Sequence, residues 1–339
     1  MTSLAESVRQ VLDSAEDLAG SGQTLAAVDY LQAQNRTLGE PIVERRLAEL
    51  RRDAVMELDR QVDPPRPQFD DPFPGHKGLI EIDGADATPE LVNGAVQHHG
   101  CVLVRGLLST DVTDALIADI DQSMAARDAA NEGADAEATS PWYVALPAHP
   151  EIPSFRPEAR ADPNWYRVCT MDSPRTMFNL IEHYEDAGVT DIARAALGTR
   201  PVMTGHKWAL RRMPKRKVSG WHQESSVWDS GRPVRTINVW MALNECGIDS
   251  PGFDVLPRRE TEIVPPDRNF MLSKDTFAAI SGDDDFASPV YGPGDAMIFD
   301  EFLVHRTKTD DAMEGLRYSI ESWFFSPAGI PDDRDMVVL

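Results

Sequence analysis

In the segment Ser219-Gly220-Trp221-His222-Gln223-Glu224 an imidazole and a carboxylate stand two residues apart. A further imidazole, His305, follows in Phe299-Asp300-Glu301-Phe302-Leu303-Val304-His305-Arg306-Thr307. On an extended chain, residues two apart point the same way, so His222 and Glu224 share a face while Gln223 points elsewhere. Two imidazoles and one carboxylate on one side of an iron ion leave three positions open, as oxygen activation at non-haem iron requires. An H-x-E triplet recurs by chance, and a lone histidine in a strand is more often a satisfied core residue. The weight therefore falls on what comes after His305.

Arg317 and Ser319 lie in Leu316-Arg317-Tyr318-Ser319-Ile320-Glu321-Ser322-Trp323, where strand alternation puts both on one face. The open positions at such an iron take dioxygen and a bidentate 2-oxo acid, whose far carboxylate needs a charged partner. A guanidinium fork beside a hydroxyl suits that carboxylate. The order of these pieces along the chain is what makes the pattern specific.

These side chains need strands to aim them, and the second half of the chain supplies the signals. From Pro201 onward, short apolar runs separated by Pro, Gly and Asp turns predict strands at 202–213, 234–242, 252–256, 261–264, 295–300, 302–306 and 316–325. Helices precede the strands rather than alternate with them, which favours a mainly β jelly roll with flanking helices. Upstream, Pro89 to His99 reads as a helix, Gly100 to Leu107 as a buried strand, and Ser109 as the cap of a helix reaching about Ala130. Ser140 to Asp162 reads as a long loop, and helical signals return from Pro174 to His183 and from Asp191 to Leu197.

The N-terminal region is helical throughout. Leu4, Val8, Val11, Leu12, Ala15 and Leu18 draw an apolar stripe ending near Gly20 and Gly22; Thr24 is placed to cap a second helix to about Gln34; Pro41 opens a third. Pro64, Pro65, Pro67, Pro72 and Pro74 then favour an extended connector. The expected division is a helical region at 1–60, a Pro-rich connector at 61–85 and a catalytic domain at 86–339. The helices are expected to pack on that domain or to form a homodimer contact.

Over roughly residues 88 to 327 the sequence resembles the phytanoyl-CoA dioxygenase family of iron(II)/2-oxoglutarate oxygenases. The matching segments are Gly100-Cys-Val-Leu-Val-Arg-Gly-Leu-Leu, Trp221-His222-Gln223-Glu224, Val239-Trp240-Met241-Ala242-Leu243, Pro251-Gly252-Phe253-Asp254-Val255-Leu256-Pro257, Gly292-Pro293-Gly294-Asp295 leading to His305, and Arg317-Tyr318-Ser319. The resemblance implies a double-stranded β-helix (jelly-roll, cupin-like) core and iron(II) at His222, Glu224 and His305. It also implies 2-oxoglutarate salt-bridged to Arg317 with help from Ser319, and Asn238, Lys207 and Thr236 as further residues bordering the cosubstrate. The implied reaction consumes dioxygen, converts 2-oxoglutarate to succinate and carbon dioxide, and hydroxylates an unactivated C–H bond of a small molecule. Glu224 stands where the family usually has aspartate, and Pro257-Arg258-Arg259-Glu260 replaces its usual Pro-Gly-Ser-His turn. Retention of a carboxylate at 224 argues against a halogenase, which needs that position vacant for chloride.

The remaining features narrow the class. Thirty-three Lys and Arg against 56 Asp and Glu give a net charge of -23, so a nucleic-acid backbone or an anionic membrane is not an expected partner. Three scattered cysteines suggest neither a disulfide framework nor a zinc knuckle, and the N-terminus shows no secretory pattern, which predicts a cytoplasmic protein with reduced thiols. Arg211, Arg212, Lys215, Arg216 and Lys217 form one dense basic cluster, to be read as a solvated strand end or as an attractor for an anion. Trp228, Arg232 and Arg235 offer either a substrate-side wall or core packing and surface ion pairs. Trp142, Tyr143 and Trp165 offer a lid or simple loop anchors. Two other readings stand beside the hydroxylase: a non-catalytic jelly-roll binding module, and the same iron chemistry ending in desaturation, cyclisation or epoxidation.

Overall fold

A computed structural model describes residues 3–147, 149–151, 161–215, 220–224, 234–267, 270–282, 286–329 and 335–339. Ser3 and Glu6 form a capping box at the start of α1 (Leu4–Gly20), which turns Val11 and Ala15 inward. Helices α2 (Thr24–Leu38) and α3 (Pro41–Asp53) follow, then a 3-10 turn at Ala54–Glu57. Thr24 is not a cap but the first residue of α2; the carboxylate of Glu57 accepts the N–H groups of Thr24 and Leu25 instead. An anionic side chain at a helix N-terminus satisfies orphan donors and the dipole together.

Thr88 caps α4 (Pro89–His99), and Ser109 caps α5 (Thr110–Asn131). A single turn, α6 (Ala136–Thr139), precedes α7 (Pro174–Asp186) and α8 (Val189–Leu197); α9 (Lys274–Ser281) lies among the strands. The strands are β1 (Glu81–Asp83), β2 (Cys101–Arg105), β3 (Arg167–Cys169), β4 (Val202–Met213), β5 (Thr236–Ala242), β6 (Gly252–Val255), β7 (Ala296–Asp300), β8 (His305–Lys308), β9 (Arg317–Phe325) and β10 (Met336–Val338). Residues 261–264 are not a strand, and the strand expected at 302–306 begins only at His305. The side chain of Gln223 explains both: it donates to the Glu262 and Phe302 carbonyls and accepts from Val264 N–H, tying two loops together where strand pairing was expected.

The large sheet runs β1-β2-β7-β5-β9-β4-β10, with β3 paired on β4, and β6 pairs with β8 in a second sheet. Strand β1 is parallel to β2 and the other pairings are antiparallel. Alternation divides the large sheet. Val102, Leu210, Val239, Met241, Ile298, Ile320 and Phe324 face α4, α5, α7 and α8 in the main core. Leu103, Trp240, Met297 and Phe299 face the small sheet, packing with Phe253 and Val255. The result is a sheet-rich core with flanking helices.

The turn before β7 carries a glycine that admits no substitute. Gly294 has φ +84°, and a Cβ would meet Leu108 O at 1.9 Å. Asp295 completes the turn by accepting Gly292 and Gly106 N–H and pairing with Arg105 at 2.6 Å. Helices α1 to α3 contribute Val11, Val28, Leu31, Leu47 and Leu50 to a cluster with Trp323, Phe325, Met336 and Val338, so they cover the β9–β4–β10 side of the sheet. Residues 62–80 have no helix or strand, and Arg66 within them pairs with the buried Asp300 and Glu301. The three cysteines are buried free thiols. Among the described residues no helix is long and apolar enough to cross a membrane.

Candidate active site

Residues His222 and His305 form an isolated antiparallel bridge, each N–H donating to the other's carbonyl at 3.0 Å. Their rings lie 4.3 Å apart, centroid to centroid. The Nδ1 of His222 donates to Gly220 O at 2.7 Å, and that of His305 to Leu303 O at 3.0 Å. With Nδ1 spent on carbonyls, each ring presents a lone pair at Nε2, the tautomer a metal ligand needs. Glu224 does not continue an extended strand; it sits in a turn, from which its longer side chain reaches back. One Oε lies 3.2 Å from His305 Nε2, the other 4.0 Å from His222 Nε2.

Ligand atoms of His222, Glu224 and His305 all lie within 4.8 Å of one another, and all three residues are buried. Burial, then the neighbouring His305, push the His222 pKa down to about 4, so the ring is neutral at ordinary pH. Burial acts to raise the Glu224 pKa, but Lys207 and His305 more than offset it, and the carboxylate stays ionised. Phe253 stacks on His305 at 4.9 Å and Phe270 meets His222 edge-on at 5.3 Å, so apolar rings restrict both imidazoles. Two imidazole nitrogens and a carboxylate, held before any ion arrives, fit a first-row divalent metal.

One large-sheet face carries the other candidates in rungs. Alternation and register put Met213 opposite Arg317, then Arg167, Arg211 and Ser319 side by side, then Ala209, Glu321 and Trp240, then Trp323 and Asn238, then Phe325 and Thr236. Arg317 is 1% exposed, yet among the described residues its guanidinium meets only Gly252 O at 3.3 Å, Met213 Sδ at 3.5 Å and the Trp240 ring at 5.5 Å. Burial pushes its pKa down to about 10. Its Nε, the Ser319 hydroxyl, both amide atoms of Asn238 and the Thr236 hydroxyl are buried polar atoms without a hydrogen-bond partner among the described residues. Such groups cost stability unless a ligand completes them, and a cationic fork with a hydroxyl fits a carboxylate. Lys207 lies in the irregular stretch of β4, with Nζ 3.9 Å from Glu224 and 3.6 Å over the Trp323 ring.

Two of the substrate-side candidates make no contact with the triad among the described residues. Arg235 points away from this face: it donates to Pro64 O at 2.8 Å, Ala196 O at 3.0 Å and Leu197 O at 2.6 Å, tying the connector to the C-terminus of α8. The last carbonyls of a helix attract a guanidinium, and one step of alternation from Thr236 aims Arg235 at them. Trp142 lies in the turn after α6, where Asp172 accepts the Leu146 N–H and Tyr143 enters the helix-side core; no contact among the described residues links it to the triad. Trp228 and Arg232 lie outside the described residues. The basic cluster is divided by alternation. Arg211 faces inward to Glu321 at 2.5 Å, Arg212 outward to Asp121 at 2.8 Å, and Lys215 contacts Asp311 O, while Arg216 and Lys217 are outside the described residues.

Sequence reasoning missed Glu321 and Arg167. Glu321 shares the odd-numbered face of Arg317 and Ser319, and that two-residue period was the available signal. Burial acts to raise its pKa, yet Arg211 above all, with Arg317 and Lys207, brings it down to about 2. Arg167 lies 4.3 Å over the Trp165 ring.

EctD from S. alaskensis, in a crystal structure with 2-oxoglutarate and 5-hydroxyectoine, is similar to this chain with a TM-score of 0.50 and 17% identity, over 78% of this chain and 86% of that one. The epimerase SnoN, in complex with Fe3+, alpha ketoglutarate and nogalamycin RO, gives 0.43 and 14% over 70% and 86%. AviO1 from Streptomyces viridochromogenes Tue57 gives 0.44 and 19% over 71% and 96%. At such identities the EctD likeness speaks to the fold alone. No curated protein matches the sequence. The profile of the family described as Phytanoyl-CoA dioxygenase (PhyH) matches residues 96–311, a span that holds all three converging side chains and stops short of Arg317. Because that match covers more than half of the chain, the protein belongs to the phytanoyl-CoA dioxygenase family.

Proposed function

We propose that this protein is an iron(II)- and 2-oxoglutarate-dependent dioxygenase that hydroxylates a C–H bond of a small organic molecule. In this reading His222, Glu224 and His305 hold the iron, Arg317 and Ser319 hold the far carboxylate of 2-oxoglutarate, and the two sheets form a double-stranded β-helix around them. The observation that carries it is the convergence of three ligand atoms within 4.8 Å on the side of the sheet where Arg317, Ser319 and Asn238 keep unpartnered polar atoms. Family membership supports the class, and the similarly folded EctD was crystallised with 2-oxoglutarate. A binding module that had lost catalysis would have no need to keep the metal ligands and the carboxylate site together.

When bound, iron and 2-oxoglutarate supply the oxidising chemistry, with succinate and carbon dioxide as coproducts. The chain's own part is positional. Carbonyls of Gly220 and Leu303 fix the histidine tautomers, Phe253 and Phe270 keep water from the rings, and Lys207 keeps Glu224 ionised. Asn238 and Thr236 remain cosubstrate-side candidates, since their orphaned polar atoms share the face of Ser319.

Anaerobic addition of iron(II) and 2-oxoglutarate is expected to produce a visible metal-to-ligand charge-transfer band that Glu224→Ala abolishes. No band in the wild type, together with no succinate in air across a broad substrate panel, would sink the proposal.

A further inference from the structure

Little backbone pairing holds His222 beside His305. Among the described residues the two form an isolated bridge with reciprocal hydrogen bonds at 3.0 Å. In a longer ladder Gly220 N–H would point at β8, but here it donates to Met271 Sδ at 3.3 Å. Register and side-chain direction in a sheet are set by successive pairs, so one bridge alone leaves the two segments free to twist about it. The relation between the imidazoles therefore depends on the side chains that flank the bridge.

Alternation supplies a second row of side chains, one residue away and on the opposite face. The inner row is Val255, His305 and His222, running from β6 through β8 to the bridge. The outer row is Asp254, Arg306 and Trp221, in the same order. Arg306 joins both of its neighbours: Nε donates to Asp254 at 2.9 Å, and the guanidinium carbon lies 4.6 Å from the Trp221 ring centroid. Asp254 is buried and also accepts the Ser288 hydroxyl at 2.6 Å, which anchors the anionic end of the row. At the other end Phe277 of α9 stacks on Trp221 at 4.0 Å, and Trp221 O accepts Leu272 N–H at 2.8 Å. A cation over an indole, combined with a charge-assisted hydrogen bond, fixes direction as well as distance.

We propose that Arg306 is a positioning residue for the metal centre: by clasping Trp221 to Asp254 it holds the His222 segment against β8 and so sets the spacing of the two imidazoles. This rests on the dioxygenase reading for His222, Glu224 and His305 as the metal ligands, and adds a residue outside that triad. The chain transmits the effect over single peptide units. Arg306 directly follows His305, and Trp221 stands between His222 and Gly220, whose carbonyl fixes the His222 tautomer. Loss of the clasp loosens the angle between the histidines without removing any ligand atom.

The test uses cobalt(II), whose visible absorption reports coordination geometry, titrated into the full chain and into Arg306→Met and Arg306→Lys. Arg306→Met keeps an apolar stem beside Trp221 but loses the ion pair and the cation. It is expected to raise the cobalt Kd by about tenfold, the lower end of what loss of a supporting residue costs a metal site, and to change the spectrum at saturating cobalt. Arg306→Lys keeps a cation between ring and carboxylate and is expected to recover part of both. Should Arg306→Met fail to fold, Arg306→Gln takes its place with the same expectations. A residue that only stabilised the fold would lower the urea midpoint of the metal-free protein while leaving the saturated spectrum and the cobalt Kd at their wild-type values. That result, or equal departures from wild type in the methionine and lysine variants, would overturn the proposal. The dioxygenase reading is judged separately by the charge-transfer band with iron(II) and 2-oxoglutarate: no band sinks that reading, while the cobalt spectra of the variants still decide the role of Arg306. A wild type that binds no cobalt overturns the triad and this proposal together.

Discussion

Replacing Arg317 by methionine should separate ligand binding from folding stability, because its burial opposes folding whereas the proposed function gives it a part in holding 2-oxoglutarate. Its guanidinium is buried with one backbone acceptor at 3.3 Å, a thioether contact and an unpartnered Nε. A folded-state pKa of about 10, below the ordinary 12.5, means that the charge opposes folding. The difference corresponds to about 3 kcal/mol as an upper bound. An apolar side chain of similar length removes that cost while keeping most of the packing, so the urea midpoint of metal-free Arg317→Met should be no lower than that of the wild type.

Binding should move the other way. Two charge-assisted hydrogen bonds to a carboxylate contribute roughly 1.5–3 kcal/mol each. Their loss should therefore raise the 2-oxoglutarate Kd by about 100-fold or more. The assay is anaerobic titration of 2-oxoglutarate into iron-loaded protein, paired with urea unfolding at fixed cosubstrate. At about 100 times its wild-type Kd, the cosubstrate stabilises the wild type by about 2.7 kcal/mol, but a 100-fold weaker variant by only about 0.4 kcal/mol. A variant that unfolds more easily in the apo state yet binds 2-oxoglutarate normally would refute the reasoning and make Arg317 a structural residue.

Three further outcomes follow from the geometry. Glu321 has a folded pKa of about 2 against an ordinary 4.5, so its contribution is present above about pH 4.5 and is lost as pH falls toward 2; it amounts to about 3 kcal/mol at most, and Glu321→Gln should flatten the fall in stability across that window, measured by urea midpoints. Arg235→Gln removes contacts to three carbonyls and should cost about 2–3 kcal/mol while leaving the 2-oxoglutarate Kd within about twofold; a large loss of affinity would return Arg235 to the substrate side. Deleting residues 1–58 uncovers Trp323, Phe325, Met336 and Val338 and should lower the thermal midpoint and increase binding of a hydrophobic dye, whereas an unchanged midpoint would make the helices an appendage.

The readable part of the fold was the part with strong local signals. Ser109 as a cap, Pro41 and Pro89 at helix starts and the alternating runs of β4, β5 and β9 declare themselves within a few residues. Strands β1, β3 and β10, three residues each, show no period; they exist because the edges of neighbouring strands accept them. The strand expected at 261–264 had apolar residues but lost its backbone partners to Gln223. Arg235 was read as a neighbour of the site from proximity along the chain, but the direction of a strand residue changes at every step.

By itself the sequence determined the chemical identities and their order: a histidine and a carboxylate two residues apart, a distant histidine, then Arg317 and Ser319 on one strand face. Those depend on residue type and on the two-residue period of a strand, both local properties. Tertiary structure alone decided that Glu224 approaches from a turn, that Arg211 faces in while Arg212 faces out, and that Glu321, Arg167 and Lys207 meet beside the metal triad. Register across β3, β4 and β9 sets those meetings, and register depends on pairings between segments far apart in the chain, which no local pattern records.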